Sequence, residues 1–235
     1  MRYAIYFAPP LNDPVSRVAA NWLGRNAFTD EMVEAPAITG LNSAEIAFYT
    51  AAPRRYGFHG TLKPPFRLAE GTSEEGLLQA LMRFTGTVQT FEIPSMEISR
   101  LGPFFALVPS EPVPDLIDLA ARITREFDSF RAPLSEAEIE RRNPQNLTPA
   151  QLANLHRWGY PYVFDEFRFH MTLTGPIDAD EQARVEQALH TFFDPVLSEP
   201  IEVRNLALFV EEENGAPFHV HSLHPLGSVE QLRSA

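Results

Sequence analysis

Phe58-His59-Gly60-Thr61-Leu62 returns later in the chain as Phe169-His170-Met171-Thr172-Leu173. Both stretches have the aromatic and β-branched content of a strand, and each leads to a helix start and then to two further strand segments. A strand turns alternate side chains to one face. In the first copy His59, Thr61 and Lys63 therefore share a face, with Phe58, Gly60 and Leu62 on the other. In the second, Arg168, His170, Thr172 and Thr174 share a face while Phe169, Met171 and Leu173 pack inward. The repeat predicts two similar lobes, each with an antiparallel sheet, around a central groove.

The remaining elements fit that plan. Asp13 before Pro14 opens a helix to about Leu23, with Pro at the favoured first position. Asn42 with Glu45, Ser135 with Glu138, Thr148 with Gln151 and Asp178 with Glu181 have capping-box spacing. Ser73 precedes a stripe of Leu77, Leu78, Leu81 and Met82, and Leu116, Leu119, Ala120, Ile123 and Phe127 form another. Strands are expected over 3–7, 58–62, 90–93, 104–108, 167–172, 201–209 and 217–223, with Asn214-Gly215 as a hairpin turn between the last two. Single helices between hairpin-like strand pairs indicate an α+β fold rather than a doubly wound sheet. No linker divides the chain, so residues 1–235 form one bilobal domain. Within it, 127–162 is a helical insertion and a candidate lid.

Composition narrows the function. Hydrophobic content of 44% and charged content of 21% over 235 residues describe an ordinary globular protein. No apolar run reaches the roughly 20 residues needed to cross a bilayer, and a cytoplasmic monomer is expected. The absence of cysteine excludes thiol nucleophiles and disulfides. A net charge of −12 argues against general nucleic-acid binding, which needs a basic surface, while leaving room for a small phosphorylated substrate. All but one of the 19 basic residues are arginine, and the exception, Lys63, lies in the first motif.

Of the seven histidines only His59 and His170 are followed two positions on by Thr or Ser. Two imidazoles on facing strands suit attack on a phosphodiester. One neutral ring takes a proton from water and the other, protonated, gives one to the leaving oxygen. Thr61, Thr172, Lys63 and Arg168 are candidates to hold the non-bridging oxygens.

The paired His-x-Thr strands resemble the 2H phosphoesterase superfamily, which includes RNA 2′,5′ ligase-like proteins and cyclic nucleotide phosphodiesterases. The chain is similar in particular to its DUF1045 branch, often encoded beside phosphonate-utilisation genes. That similarity rests on the stretch Arg54 to Lys63, on Phe127-Asp128-Ser129-Phe130-Arg131-Ala132-Pro133-Leu134, and on Trp158-Gly159-Tyr160-Pro161-Tyr162 running through to Thr174. The resemblance implies a bilobal fold with a central groove, His59 and His170 as acid and base, Thr61 and Thr172 on the phosphate, and no metal or cofactor. It also implies a cyclic phosphate substrate, first a cyclic ribose phosphate from phosphonate breakdown and second a nucleoside 2′,3′-cyclic phosphate.

Tyr6, Arg55, Tyr56, Arg131, Tyr160 and Thr174 are further candidates for substrate binding. Arg54, Arg55 and Tyr56 would take a second phosphate, and Arg131, Arg141 or Arg142 would reach the ligand from the insertion. Two rivals remain. The groove could bind a nucleotide or RNA end without chemistry, or His219, His221 and His224 with Glu211–Glu213 could hold a hydrolytic metal.

Overall fold

Capping residues set most of the helix starts. The computed structural model describes residues 1–227. Its helices are α1 (Pro14–Leu23), α2 (Ser43–Tyr56), α3 (Glu74–Thr85), α4 (Pro114–Glu126), α5 (Glu136–Glu140), α6 (Pro149–Trp158) and α7 (Gln182–Phe193). Asp13, Asn42, Ser73, Ser135 and Thr148 each accept a backbone N–H from the first turn that follows, satisfying a donor the helix start leaves bare. The expected Asp178–Glu181 box does not form. α7 begins at Gln182 without a side-chain cap, because the Glu181 carboxylate is drawn instead to Arg184 and to the Tyr49 hydroxyl.

The strands are β1 (Arg2–Phe7), β2 (Gly60–Phe66), β3 (Phe91–Ile93), β4 (Met96–Leu101), β5 (Phe104–Pro109), β6 (Met171–Thr172), β7 (Ile201–Val203), β8 (Asn205–Glu211) and β9 (His219–Pro225). The fold is α+β, and every strand pair is antiparallel. The two expected sheets are, however, one seven-stranded sheet in the order β4-β5-β6-β2-β1-β8-β9, with β3–β7 as a separate ribbon. The motif strands β2 and β6 are neighbours at its centre. The duplicated halves are thus halves of a single sheet, joined where Gly60 pairs with Met171.

Alternation in β1 explains the two faces. Tyr3, Ile5 and Phe7 point into the main core beneath the helices. Ala4 and Tyr6 point the other way, into a smaller cluster with Ala207, Phe209 and Phe218. The smaller cluster borders the groove. On the helix side, Trp22 of α1 is fully buried and its Nε1–H donates to the Leu173 carbonyl at 2.8 Å. This contact pins the chain leaving the second motif, and truncating a buried Trp typically costs about 3–5 kcal/mol.

The β8–β9 hairpin forms, with a longer connection than the Asn214-Gly215 pair suggested. Glu211, buried at the end of β8, accepts from Arg2 at 2.8 Å, from Arg55 and from the Gly215 N–H at 3.1 Å. Satisfying a buried carboxylate folds the loop around it.

Candidate active site

The Gly60–Met171 pairing brings the four motif side chains together. One step either side of it, antiparallel geometry sets Thr61 opposite His170 and His59 opposite Thr172, the near-neighbour positions of a sheet face. Histidines and threonines therefore occupy the corners of a square, each His diagonal to the other. Glycine is required at the centre. A Cβ on Gly60 would lie 2.3 Å from the Phe169 ring, so the two strands meet this closely only because position 60 carries no side chain.

Both imidazoles are held in the same way. His59 Nδ1–H donates to the Gly57 carbonyl at 2.9 Å, and His170 Nδ1–H to the Arg168 carbonyl at 2.8 Å, each acceptor lying two residues back. That bond selects the tautomer with Nε2 as the free acceptor. In His59 the Nε2 takes a hydrogen bond from the Thr61 hydroxyl at 3.2 Å. Gly57 supplies its carbonyl from a left-handed φ of 73°, with Ala27 packed so near that a Cβ would fall 2.4 Å from it.

The two rings differ in their surroundings. His59 stacks on Tyr6 at 3.8 Å and 21°, with Phe209 at 5.9 Å and Tyr56 at 6.2 Å. Only a strip of the ring remains open to the groove. Burial, with a smaller contribution from the charge of His170, lowers its pKa to about 4 against the opposing Gly57 hydrogen bond. His170 is half-exposed, with the Phe104 ring 5.9 Å away.

The groove has two compartments meeting at Phe104. The smaller, about 230 Å³, is lined by His59, Tyr56, Thr172 and Phe104. The larger, about 630 Å³, is lined by Thr61, His170, Arg168, Tyr160, Tyr162 and Phe104. Of the expected residues, Tyr56, Tyr160 and Arg168 thus line the groove, whereas Tyr6, at 1% exposure, is a core residue packed beneath the His59 ring. Phe104 and Tyr162 were not among the expected site residues. The Gly102-Pro103 turn before Phe104 was the available signal.

Lys63 requires correction. Thr61 opposes Tyr6 in β1, yet Lys63 opposes Ile5, so Leu62 is an extra residue in a β-bulge. The bulge turns Lys63 to the core face, where it is 2% exposed with its Nζ 3.5 Å from the Thr124 carbonyl and 4.0 Å from Asp128. Burial lowers its pKa to about 8. It cannot reach a phosphate held at the square. Pro64 and Pro65, which lack ladder donors, were the sequence hint of irregular pairing.

Other expected ligands are committed elsewhere. Arg54 donates to the Leu23 carbonyl and to Thr50, and Arg55 to Glu211 and the Ala216 carbonyl, which leaves no free cation for a second phosphate there. Thr174 borders the smaller compartment, but it is buried and its hydroxyl accepts from the Phe105 N–H at 3.0 Å. Arg131 pairs with Asp128 at 2.9 Å and donates to the Arg157 carbonyl at 3.2 Å, closing over Gly159. It is a clamp on the insertion, fixing the end of α6 from which Tyr160 enters the groove. The insertion is further rooted on the end of β2 by backbone bonds from Ala69 to Phe130 and from Ala132 to Arg67.

The carboxy-terminal histidines do not gather with Glu211, and the carboxylate His221 meets is that of Glu74 at 3.5 Å. Glu211 serves two arginines, His221 and His224 both bond Ser222, and among the described residues no three His, Asp or Glu side chains stand close enough to hold a metal ion.

A family model described as "Protein of unknown function (DUF1045)" matches residues 61–219, a span containing Thr61, His170 and Thr172. The chain belongs to the DUF1045 family. Two curated relatives of this DUF1045 chain carry the name ribose 1,5-bisphosphate phosphokinase PhnN. One, from Janthinobacterium sp. (strain Marseille), is 39% identical over 221 residues, covering 92% of this chain and 49% of the relative. The other, from Laribacter hongkongensis (strain HLHK9), is 36% identical over 220 residues, covering 94% and 50%. The chain spans about half the length of these relatives. Among solved structures, E. coli LigT complexed with phosphate aligns over 96% of this chain and 97% of its own, at 12% identity and a TM-score of 0.41. No helix among the described residues is long and apolar enough to cross a membrane.

Proposed function

We propose that this chain is a phosphoesterase that opens a cyclic phosphate on a phosphorylated ribose by two-histidine acid–base catalysis. The observation that carries this is the matched pair of Nδ1–carbonyl bonds, which leave both Nε2 atoms as acceptors at one square of His and Thr side chains, that of His59 already taking the Thr61 hydroxyl.

The roles divide by environment. His59, kept neutral by burial, is the base that takes the proton of the attacking water. The water oxygen bonds to phosphorus, the P–O bond to one ring oxygen breaks, and the half-exposed His170 delivers the proton that makes it a hydroxyl. Thr61 and Thr172 hold the non-bridging oxygens, whose charge is stabilised through the transition state. Each imidazole contributes about 10²–10⁴-fold.

The relatives' printed name supports the substrate class and not the reaction. This chain has no G-x-x-x-x-G-K-[ST] loop, and its one lysine is buried, so its residues give a kinase reaction no support. A sugar related to ribose 1,5-bisphosphate is nonetheless a natural product of opening a cyclic phosphate on ribose 5-phosphate. The test is a screen of cyclic phosphates, ribose and nucleoside, with wild type beside His59→Ala and His170→Ala. Turnover is expected in wild type alone and should persist in EDTA. Equal turnover by all three proteins, or loss on chelation, would refute the proposal, and tight binding without turnover would favour a binding module.

A further inference from the structure

The larger compartment extends well past the reacting square, and its charges are unusual for a chain of net charge −12. Arg168 lies two residues before His170, lines the same compartment and gives its backbone carbonyl to the His170 ring, with Phe169 between them buried in the core. On the β2 side, the bulge at Leu62 turns Lys63 inward and leaves that cation out of the groove.

Arg168 is exposed and has no ion pair or side-chain hydrogen bond among the described residues. Arg142, on the insertion, is likewise exposed and unpaired among them, with its guanidinium 5.0 Å from the centre of the Tyr160 ring. Arg100 also borders the compartment but donates to Gln182 at 2.7 Å and pairs with the core-facing Phe105. It is turned to the helix side. The carboxylate on the lining, Glu166, is occupied by the Gln151 amide at 2.8 Å. The lining thus offers one unpaired arginine, Arg168, while Arg142 reaches the compartment only through the Tyr160 ring it covers.

We propose that Arg168, with the Arg142 charge over the neighbouring Tyr160 ring, holds a second anionic group of the substrate, a phosphate monoester on the sugar, beside the cyclic phosphate. This rests on the cyclic-phosphate reading of the square. It moves the second-phosphate position away from Arg54 and Arg55, whose guanidinium groups are already bonded to the protein.

The test compares a ribose cyclic phosphate with and without a phosphate at C5. Wild type should prefer the phosphorylated compound by about tenfold or more in kcat/KM, the scale of a charge-assisted hydrogen bond. In Arg168→Ala the preference should fall toward unity, and Arg168→Lys should keep part of it, retaining charge without the planar fork. A wild-type preference in a folded Arg168→Ala protein, checked by circular dichroism, overturns the subsite. If wild type turns over neither compound, the cyclic-phosphate reading fails separately. Calorimetry with D-ribose 5-phosphate then decides the subsite. About tenfold weaker binding to Arg168→Ala supports it, and binding to neither protein, or equally to both, overturns it.

Discussion

The two copies of the motif carry the same Phe-His-x-Thr-Leu pattern and fold into unlike surroundings. The first leads into a seven-residue strand between β1 and β6, so Tyr6 stacks on His59, and burial lowers the pKa of that ring. The second has two residues of regular strand, and its histidine looks onto the open compartment beside Phe104. At the middle position, glycine in one copy makes room for Phe169 of the other. A repeated motif is therefore not a symmetric site. Its neighbours, contributed by strands distant in sequence, pack one imidazole against aromatic rings and leave the other beside the open compartment.

The largest expected effect comes from removing either corner of the square. His59→Ala and His170→Ala should each lower kcat by about 10²–10⁴-fold, and the double variant should fall little further, because the two act as a unit. Steady-state kinetics on a cyclic phosphate check this; additive losses would mean independent roles.

Gly60→Ala attacks the contact that joins the copies. With 2.3 Å between the new Cβ and Phe169, overpacking should cost about 1–3 kcal/mol, read as a lower denaturation midpoint, together with a loss of activity as the strands part.

The asymmetry itself is tested by pH. The acid limb of kcat/KM should lie near His59's value of about 4 rather than at an ordinary imidazole's 6.5. Tyr6→Leu, which removes the stacked ring, should move that limb upward. The same group links to stability. The unfolded chain binds the proton more readily than the native one, so its contribution is complete above 6.5 and is lost as pH falls toward 4. An unmoved limb in Tyr6→Leu would show that stacking does not set the difference.

Lys63→Met should have the smallest effect. A buried ammonium with distant partners is replaced by an apolar chain of similar length, so stability at neutral pH should stay level or rise by about 1 kcal/mol, with kcat within a few-fold of wild type. A hundredfold loss of activity would put the lysine on the phosphate after all and undo the bulge argument.

Local rules accounted for much of the molecule. Five caps, the apolar stripes, the α+β class and the facing of His with Thr within each copy depend on neighbours a few residues apart, and the sequence displays those neighbours directly. Two failures share a cause, a partner far along the chain: Lys63 was misplaced because its register depends on β1, and Arg55 looked free until Glu211 came beside it. Two others were local competitions, Glu181 drawn to Arg184 and Arg131 to Asp128, each three residues away.

By itself, then, the chain determined most of the strands and helices and which face of each motif carries His and Thr, because backbone sterics and side-chain alternation operate over a few residues. Only the tertiary structure decided that the two motifs pair in one sheet, which cations remain unpaired, and which imidazole is stacked against aromatic rings. Burial, register and charge pairing are set by segments that meet only on folding.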